Sequence, residues 1–365
     1  MKTSIITFHE SNNNGALLQA YALQTTLSRL SDQQCDILNY HSQYKEAQYS
    51  VRGKKNLLIF INSLLSTLIQ SKIKENVNSF KKQYLNITKK IYNSSSEMTV
   101  LNDQYDRFYC GSDQVWNAIN TGVDATYFLN FVEDKAKIAS YAPSIALSEI
   151  PENLKKFYIT NVTRFQHLSV REKSGQVLIE KLTGKKPEVV LDPTLLLDKD
   201  KWNQIAKPIS EKKPYIFVYY ISYVPQMIDF VKKLETETGF DVIVAIKTIR
   251  DYKNGFTGKI VSPEEFIGYI SNAEYVVTNS FHGTAFSVNL EKEFFAFGNK
   301  KALAKANSRV TDFLELMNLS NRFIGNEYTI QSLLSENNRI DYSVVSKKLI
   351  AEREKSINYI KTTLN

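Results

Sequence analysis

The chain has 365 residues, 43% hydrophobic and 23% charged, the make-up of a folded globular protein longer than one hydrophobic core ordinarily supports, so two domains are expected. No apolar run reaches the about 18–20 residues that span a bilayer, and Met1-Lys2-Thr3-Ser4 runs straight into a strand-like stretch without a signal-peptide pattern, so a cytoplasmic location is expected. Cys35 and Cys110 offer no disulfide framework, neither they nor the histidines at 9, 41, 167 and 282 have a metal-ligand spacing, and the net charge of +8 sits in one segment without the motifs of a nucleic-acid module, so neither a metal nor nucleic acid is expected.

Strand-like and helix-like stretches alternate along the chain, with no repeat or low-complexity tract. Residues 4–8 read as a first strand, Asn12-Asn13-Asn14-Gly15 as a turn, and residues 16–30 as a helix with Leu17, Ala20, Leu23 and Leu27 on its apolar side. His9 ends that strand, where it could reach a crevice, and Asn14 and Gly15 hold the turn. Residues 35–40 read as a second strand. From Lys45 to Lys90, ten basic residues stand against Glu46 and Glu75, an excess equal to that of the whole chain. Leu57-Leu58-Ile59-Phe60-Ile61 and Leu64-Leu65 through Leu68-Ile69 lie within this segment. They suit a core helix with a solvated basic face, the favoured reading, or an interfacial membrane helix, its alternative.

Residues 107–110 form the next predicted strand, ending in Gly111-Ser112-Asp113. Asp113 is placed either to accept a proton from a hydroxyl or to cap the turn before Trp116. Residues 138–141 and 168–170 are further strands, the latter followed by Arg171-Glu172. Arg171 suits bidentate binding of carboxylate or phosphate, or an ion pair with Glu172. A helix over residues 176–182 and a strand at 189–191 precede Asp192-Pro193-Thr194, a rigid exit to which no chemistry is assigned. Trp116 and Tyr141 could stack on a sugar ring or belong to the core.

Charge and proline interrupt the pattern between Leu197 and Pro214, which marks a domain boundary, and a second α/β series follows with strands at 215–221, 242–246, 275–277 and 294–297. Ser262-Pro263-Glu264-Glu265 is a capping box opening a helix that runs to about residue 271. Thr278-Asn279-Ser280 then leads into Phe281-His282-Gly283-Thr284 at the start of another helical pattern. A helix N-terminus at the carboxyl end of a strand is an anion site. There Gly283 permits close approach, and His282 supplies a group that titrates near neutral pH. Asn307 and Arg309 read as surface-loop residues or phosphate ligands. The final helix, residues 343–363, carries Val345, Leu349, Ile357 and Ile360 on one side.

Six motifs stand in an order that resembles the polysaccharide pyruvyl transferase family over about residues 4–320: Asn14-Gly15-Ala16-Leu17-Leu18-Gln19-Ala20-Tyr21-Ala22-Leu23-Gln24, Gly111-Ser112-Asp113-Gln114-Val115-Trp116-Asn117, Ser140-Tyr141-Ala142-Pro143-Ser144, Ser169-Val170-Arg171-Glu172-Lys173-Ser174-Gly175, Asp192-Pro193-Thr194 and Thr278-Asn279-Ser280-Phe281-His282-Gly283-Thr284. The resemblance implies an α/β, GT-B-like fold of two doubly wound Rossmann-like domains facing a crevice. Residues 1–200 would form the acceptor side, with a basic helical insertion at about 45–95, and residues 201–365 the donor side, the C-terminal helix packing back across both. It implies transfer of a pyruvyl group from phosphoenolpyruvate to two hydroxyls of a nucleotide- or lipid-linked sugar, making a cyclic ketal during assembly of bacterial capsule or exopolysaccharide. No cofactor is implied beyond phosphoenolpyruvate as donor substrate.

Such a reaction needs an acid, a base and fixed positive charge. His282, Asp113 and Arg171 are the catalytic candidates. His9, Asn14, Gly15, Ser112, Gln114, Trp116, Tyr141, Asn279, Ser280, Gly283 and Thr284 are the candidates for binding substrate. Ketal-forming members tend to carry Arg-Leu-His or Arg-Met-His where this chain has Ser280-Phe281-His282. Either Arg171 and a lysine elsewhere neutralise the donor, or the donor is a nucleotide sugar and the chain a GT-B glycosyltransferase. A catalytically silent scaffold is the third reading. Peripheral contact with the inner face of the membrane would run through residues 52–90.

Overall fold

The structure is a computed structural model and describes residues 1–44, 57–248, 251, 255–298, 308–325 and 329–365. Lys45, Glu46, Arg52, Lys54, Lys55 and Asn307 lie outside the described residues, as do the side chains of the apolar run up to residue 64. Two compact units make up the chain. One comprises Met1–Arg52, Lys81–Leu197 and Ala351–Asn365, the other Gly53–Phe80 and Asp198–Ile350.

The first unit is built on parallel strands β1 (Thr3–Ile6), β2 (Asp36–Ile37), β3 (Arg107–Cys110) and β4 (Ile138–Ser140), in the order β2-β1-β3-β4. A parallel bridge from Ala139 to His167 continues it towards the pair β5 (Ser169–Val170) and β6 (Glu188–Val189). Every residue of β1 and β3 is buried, as expected for parallel strands covered on both faces. Helix α1 (Asn14–Ser31) begins at Asn13, whose side chain accepts from the Gly15 N–H at 3.0 Å. The turn expected at 12–15 is therefore the helix cap itself. β2 stops earlier than the predicted residue 40: Leu38 N still donates to Ile5 O of β1, and beyond it His41 N donates to Tyr92 O on the strand's other side.

Helix α2 (Leu57–Tyr84) buries Ile69, Val77 and Phe80 while Lys72, Lys74 and Lys82 are exposed, the pattern of a packed helix with a basic outer face. Leu65 and Leu68 are exposed as well. Among the described residues no helix is long and apolar enough to cross a membrane. Helices α3 (Glu152–Val162) and α4 (Lys173–Thr183) complete the first unit's chain up to β6.

The second unit holds six parallel strands: β7 (Tyr215–Tyr219), β8 (Asp241–Ala245), β9 (Thr257–Lys259), β10 (Tyr275–Thr278), β11 (Glu293–Phe297) and β12 (Phe323–Ile324). Their order, β12-β11-β10-β7-β8-β9, reads from the β9 edge as the third, second, first, fourth, fifth and sixth strands of the unit. That is the doubly wound dinucleotide-fold order, whose strand sequence reverses between β7 and β10. Helices α5 (Pro225–Thr238), α6 (Pro263–Asn272), α7 (Phe281–Asn289) and α8 (Ser308–Leu316) follow in chain order. The capping box of α6 is present, with Ser262 N donating to Glu265 at 2.8 Å and Glu265 N donating to Ser262 Oγ at 3.2 Å.

The last helix, α9 (Tyr342–Leu364), ends in the first unit. There Tyr359 and Ile360 join a core cluster with Ile5, Leu23, Leu27, Tyr109 and Tyr141. The Ser356 hydroxyl accepts from Leu191 N at 2.9 Å, and the Tyr359 hydroxyl donates to Ser140 O at 2.9 Å.

Candidate functional site

In the first unit the strand order reverses at β1, so the carboxyl ends of β1 and β3 form its switch point. The exit of β3 passes so close to β1 that a Cβ on Gly111 would lie 2.9 Å from Ile5 Cγ2 and 3.1 Å from the Thr7 Cβ. Thr7 Oγ1 donates to Ser112 O at 3.0 Å and accepts from Gln19 Nε2 at 2.9 Å. The Ser112 hydroxyl lies 2.9 Å from Ala142 O and 3.1 Å from Asp192 Oδ2. The next residue, Asp113, has φ +71° and ψ −173°, a conformation that is essentially glycine's. Its carbonyl accepts from Ser144 N at 2.8 Å, and its Oδ1 accepts from Gln114 N at 2.8 Å. Ala142 and Ala146, on the loop after β4, also have positive φ, +53° and +50°. Strain of this kind costs on the order of 1–3 kcal/mol per residue and persists only where the surroundings over-determine it.

What over-determines it is a buried charge network. Arg171 Nη1 lies 2.8 Å from Asp192 Oδ2, and the two side chains are 2% and 0% exposed. Glu172 approaches Arg171 Nε at 3.8 Å through one oxygen. Its other oxygen accepts from the Ser144 hydroxyl at 2.9 Å, Ile145 N at 3.0 Å and Ala146 N at 3.3 Å. Burial alone would lower the Arg171 pKa, but the carboxylates of Asp192, Glu172 and Asp113 outweigh it and raise it, so the guanidinium stays charged. Of the two readings of Arg171, the structure displays the ion pair, with Asp192 nearer than the expected Glu172. Asp192, read as a mere strand exit, is its principal partner and also caps Thr194 at 3.0 Å.

At the second unit's switch point, Thr278 Oγ1 donates to Tyr219 O at 2.5 Å and accepts from Ser280 N at 3.0 Å, tying the ends of β10 and β7 together. Asn279 completes the tie, accepting from Ile221 N at 2.9 Å and donating to Ser222 O at 2.7 Å. Ser280 caps α7, its hydroxyl accepting from Gly283 N at 3.4 Å, and Thr284 N donates to Ser280 O at 3.0 Å. A Cβ on Gly283 would collide with Thr278 Oγ1. The close approach that this glycine allows is therefore that of helix to strand, which corrects its reading as a ligand contact. His282 is the second residue of α7, 5% exposed, with its ring edge-on to Phe281 at 5.5 Å.

Lys247 was not singled out in the sequence. It follows β8, the neighbour of β7, and its ammonium sits 4.1 Å from the centre of the Tyr219 ring. Asp251 holds this turn, accepting from Lys247 N at 2.8 Å, Thr248 N at 2.7 Å and the Tyr220 hydroxyl at 2.5 Å. Nothing in its local sequence separates Lys247 from the chain's other lysines; only strand order brings it beside β7.

Trp116 and Tyr141 are fully buried, which corrects their reading as sugar platforms. Trp116 stacks on Phe128 at 5.0 Å, and the Tyr141 hydroxyl donates to Leu191 O at 2.9 Å. Asn14 and Gly15 open α1 and are buried. His9 is 1% exposed and half-buried Gln114 serves Asp113, so Ser112, Asp113, Gln114 and Arg171 gather at one sheet end. Asn279, Ser280, His282, Gly283 and Thr284 gather at the other.

The family described as polysaccharide pyruvyl transferase matches residues 13–301. No curated protein matches the chain by sequence. Among solved structures, a protein named as a UDP-N-acetylglucosamine 2-epimerase from Listeria monocytogenes shares the fold with a TM-score of 0.50 at 8% identity, over 99% of this chain and 90% of that one. The UDP-GlcNAc 2-epimerase of Neisseria meningitidis bound to UDP-GlcNAc has a TM-score of 0.46 at 11% identity, over 96% and 100%. The ADP-heptose lipopolysaccharide heptosyltransferase II of E. coli has a TM-score of 0.38 at 12% identity, over 97% and 99%. The fold is α/β and GT-B-like; at these identities the likeness extends no further than the fold.

Proposed function

Because the chain belongs to the polysaccharide pyruvyl transferase family, and is therefore a transferase serving polysaccharide synthesis, we propose that it moves the pyruvyl group of phosphoenolpyruvate onto two hydroxyls of a sugar as a cyclic ketal. The product would belong to a bacterial capsule or exopolysaccharide, and the acceptor would be nucleotide- or lipid-linked. The carrying observation is the switch point of the second unit, where the start of α7 with His282 shares a sheet end with Lys247.

In this reading the start of α7 and the Lys247 ammonium receive the donor's phosphate and carboxylate, so that Lys247 supplies the cation that Ser280 does not. His282 delivers a proton to the methylene carbon, turning it into a methyl group and leaving an electrophilic carbon beside the carboxylate. A sugar hydroxyl attacks that carbon, the phosphate departs, and the second hydroxyl closes the ring. Of the two hydroxyl protons, one balances the proton placed on carbon and the other leaves with phosphate. Asp113 accepts the proton of the attacking hydroxyl, and Arg171 with Asp192 and Glu172 holds Asp113 in its strained pose. Peripheral contact with anionic lipid at the inner face of the membrane is proposed for residues 52–90, where Leu65 and Leu68 are exposed beside Lys72 and Lys74.

The test is thermal denaturation of the purified chain with phosphoenolpyruvate and with a panel of nucleotide sugars, since a ligand of the native state raises apparent stability. Phosphoenolpyruvate should raise the melting temperature, and Lys247→Ala and His282→Ala should each abolish that rise. Stabilisation by a nucleotide sugar with none by phosphoenolpyruvate would overturn the donor assignment in favour of glycosyl transfer. Co-sedimentation with anionic vesicles that falls as salt rises is expected for the basic segment; no binding at low salt would dispose of it.

A further inference from the structure

We propose that His9, Glu10 and His41 bind a divalent ion of the zinc class at the carboxyl end of β1. Among the described residues these three are the one group of histidine, cysteine and carboxylate side chains whose ligand atoms converge, all within 4.8 Å of one another. His9 Nε2 lies 3.4 Å and His41 Nε2 3.8 Å from Glu10 Oε1. Ligands held at about 2.0–2.2 Å around a tetrahedral ion stand roughly 3.3–3.5 Å apart, so the cluster is already near the spacing that zinc requires. Asn39 Oδ1, at 3.1 Å from His9 Nε2 and 3.0 Å from His41 Nε2, brings a further oxygen to the same point.

The proton count points the same way. His9 Nδ1 lies 3.3 Å from Thr7 O, a carbonyl that can only accept, so Nδ1 carries the hydrogen. Nε2 then faces two oxygens, Asn39 Oδ1 at 3.1 Å and Glu10 Oε1 at 3.4 Å, where an ion between them would meet its lone pair. An imidazole whose second nitrogen is held by a backbone carbonyl is the usual arrangement of a metal-bound histidine. Two imidazoles with one carboxylate favour zinc, cobalt or nickel over magnesium or calcium.

In this structure Lys81 supplies the positive charge instead, ion-paired with Glu10 Oε1 from α2. Its side chain is 15% exposed, so the ammonium can withdraw to water when an ion takes its place. Thr7 is bonded both to His9 and to Ser112, which links the metal position to the loop carrying Asp113.

The test uses the full chain, stripped with a chelator and titrated with zinc by calorimetry and with cobalt by its visible spectrum. One ion per chain is expected, undisturbed by excess magnesium. His41→Ala, on a side chain 22% exposed and so tolerant of replacement, should weaken binding by more than the about 10–100-fold that a supporting partner costs. Glu10→Gln should weaken it too. Lys81→Met should tighten it, because the competing cation is gone. Absence of zinc and cobalt binding, or binding that His41→Ala and Glu10→Gln leave unchanged, would overturn the site and leave a hydrogen-bonded histidine pair.

Discussion

The carboxyl ends of the two sheets are built from opposite materials. At β3 and β4 a buried guanidinium and the carboxylates of Asp192, Glu172 and Asp113 lock two loops that together contain three non-glycine residues at positive φ, Asp113 after β3 and Ala142 and Ala146 after β4. At β7 and β10 the strand ends are tied by neutral side chains, Thr278 and Asn279, with Ser280 capping a helix buried along its length, while the Asp251 carboxylate holds the Tyr220 hydroxyl and the turn that carries Lys247. The first end uses a guanidinium to hold geometry, whereas the second rests its cation, Lys247, on the Tyr219 ring. A cation resting on a ring keeps its charge for an anion, as the proposed role of Lys247 requires, whereas a group that must hold a strained loop needs its charge answered.

That contrast can be broken most forcefully at Asp192. Asp192→Ala strands the buried Arg171 guanidinium and should cost about 3–5 kcal/mol in chemical denaturation, far more than Lys247→Ala. A loss below about 1 kcal/mol would mean that the network is not what holds the loop. Next comes Asp113→Asn, which keeps the Oδ1 acceptor for Gln114 but removes the base. Phosphate release from phosphoenolpyruvate with a sugar acceptor should fall about 10²–10⁴-fold, while the melting temperature should drop less than in Asp192→Ala, because Asp113 is the weakest of the three carboxylate influences on Arg171.

On the neutral side, Gly283→Ala pushes a methyl group into Thr278 and should destabilise by about 1–3 kcal/mol. Combining it with Thr278→Ala should cost less than the sum of the two single changes, and strict additivity would deny the contact. The smallest effect concerns His167, at the bridge from β4 towards β5, whose pKa is lowered by burial and by Arg107. Being neutral in the fold, it contributes stability that is complete above its ordinary 6.5 and declines as pH falls from there to the lowered value. His167→Gln should flatten that slope, measured by denaturation between about pH 7 and 5.

The elements that were legible in advance are those whose signals are local. Ser262-Pro263-Glu264-Glu265 declared its helix because both halves of a capping box lie within four residues. β3 matched its predicted bounds, and β10 ran one residue beyond them, because short apolar runs ending in small polar residues are strands that stop at a sheet edge. Arg171-Glu172 was visible as a pair, but the stronger partner, Asp192, stands 21 residues further on, where the pairing of β5 with β6 returns it to Arg171. Trp116 and Tyr141 misled because an aromatic residue next to a polar turn has the same sequence whether its ring faces solvent or the core.

By itself the sequence determined the alternation of strand and helix, the order of the motifs and, through them, the family. Those depend on the periodicity of side chains along one segment, and that is written in the chain. Tertiary structure alone decided which charges meet: His9 and His41 arrive together because β1 and β2 run parallel, and Lys247 comes beside Tyr219 because β8 adds next to β7. Parallel pairing joins residues separated by a whole crossover, and no local pattern records which strand will be the neighbour.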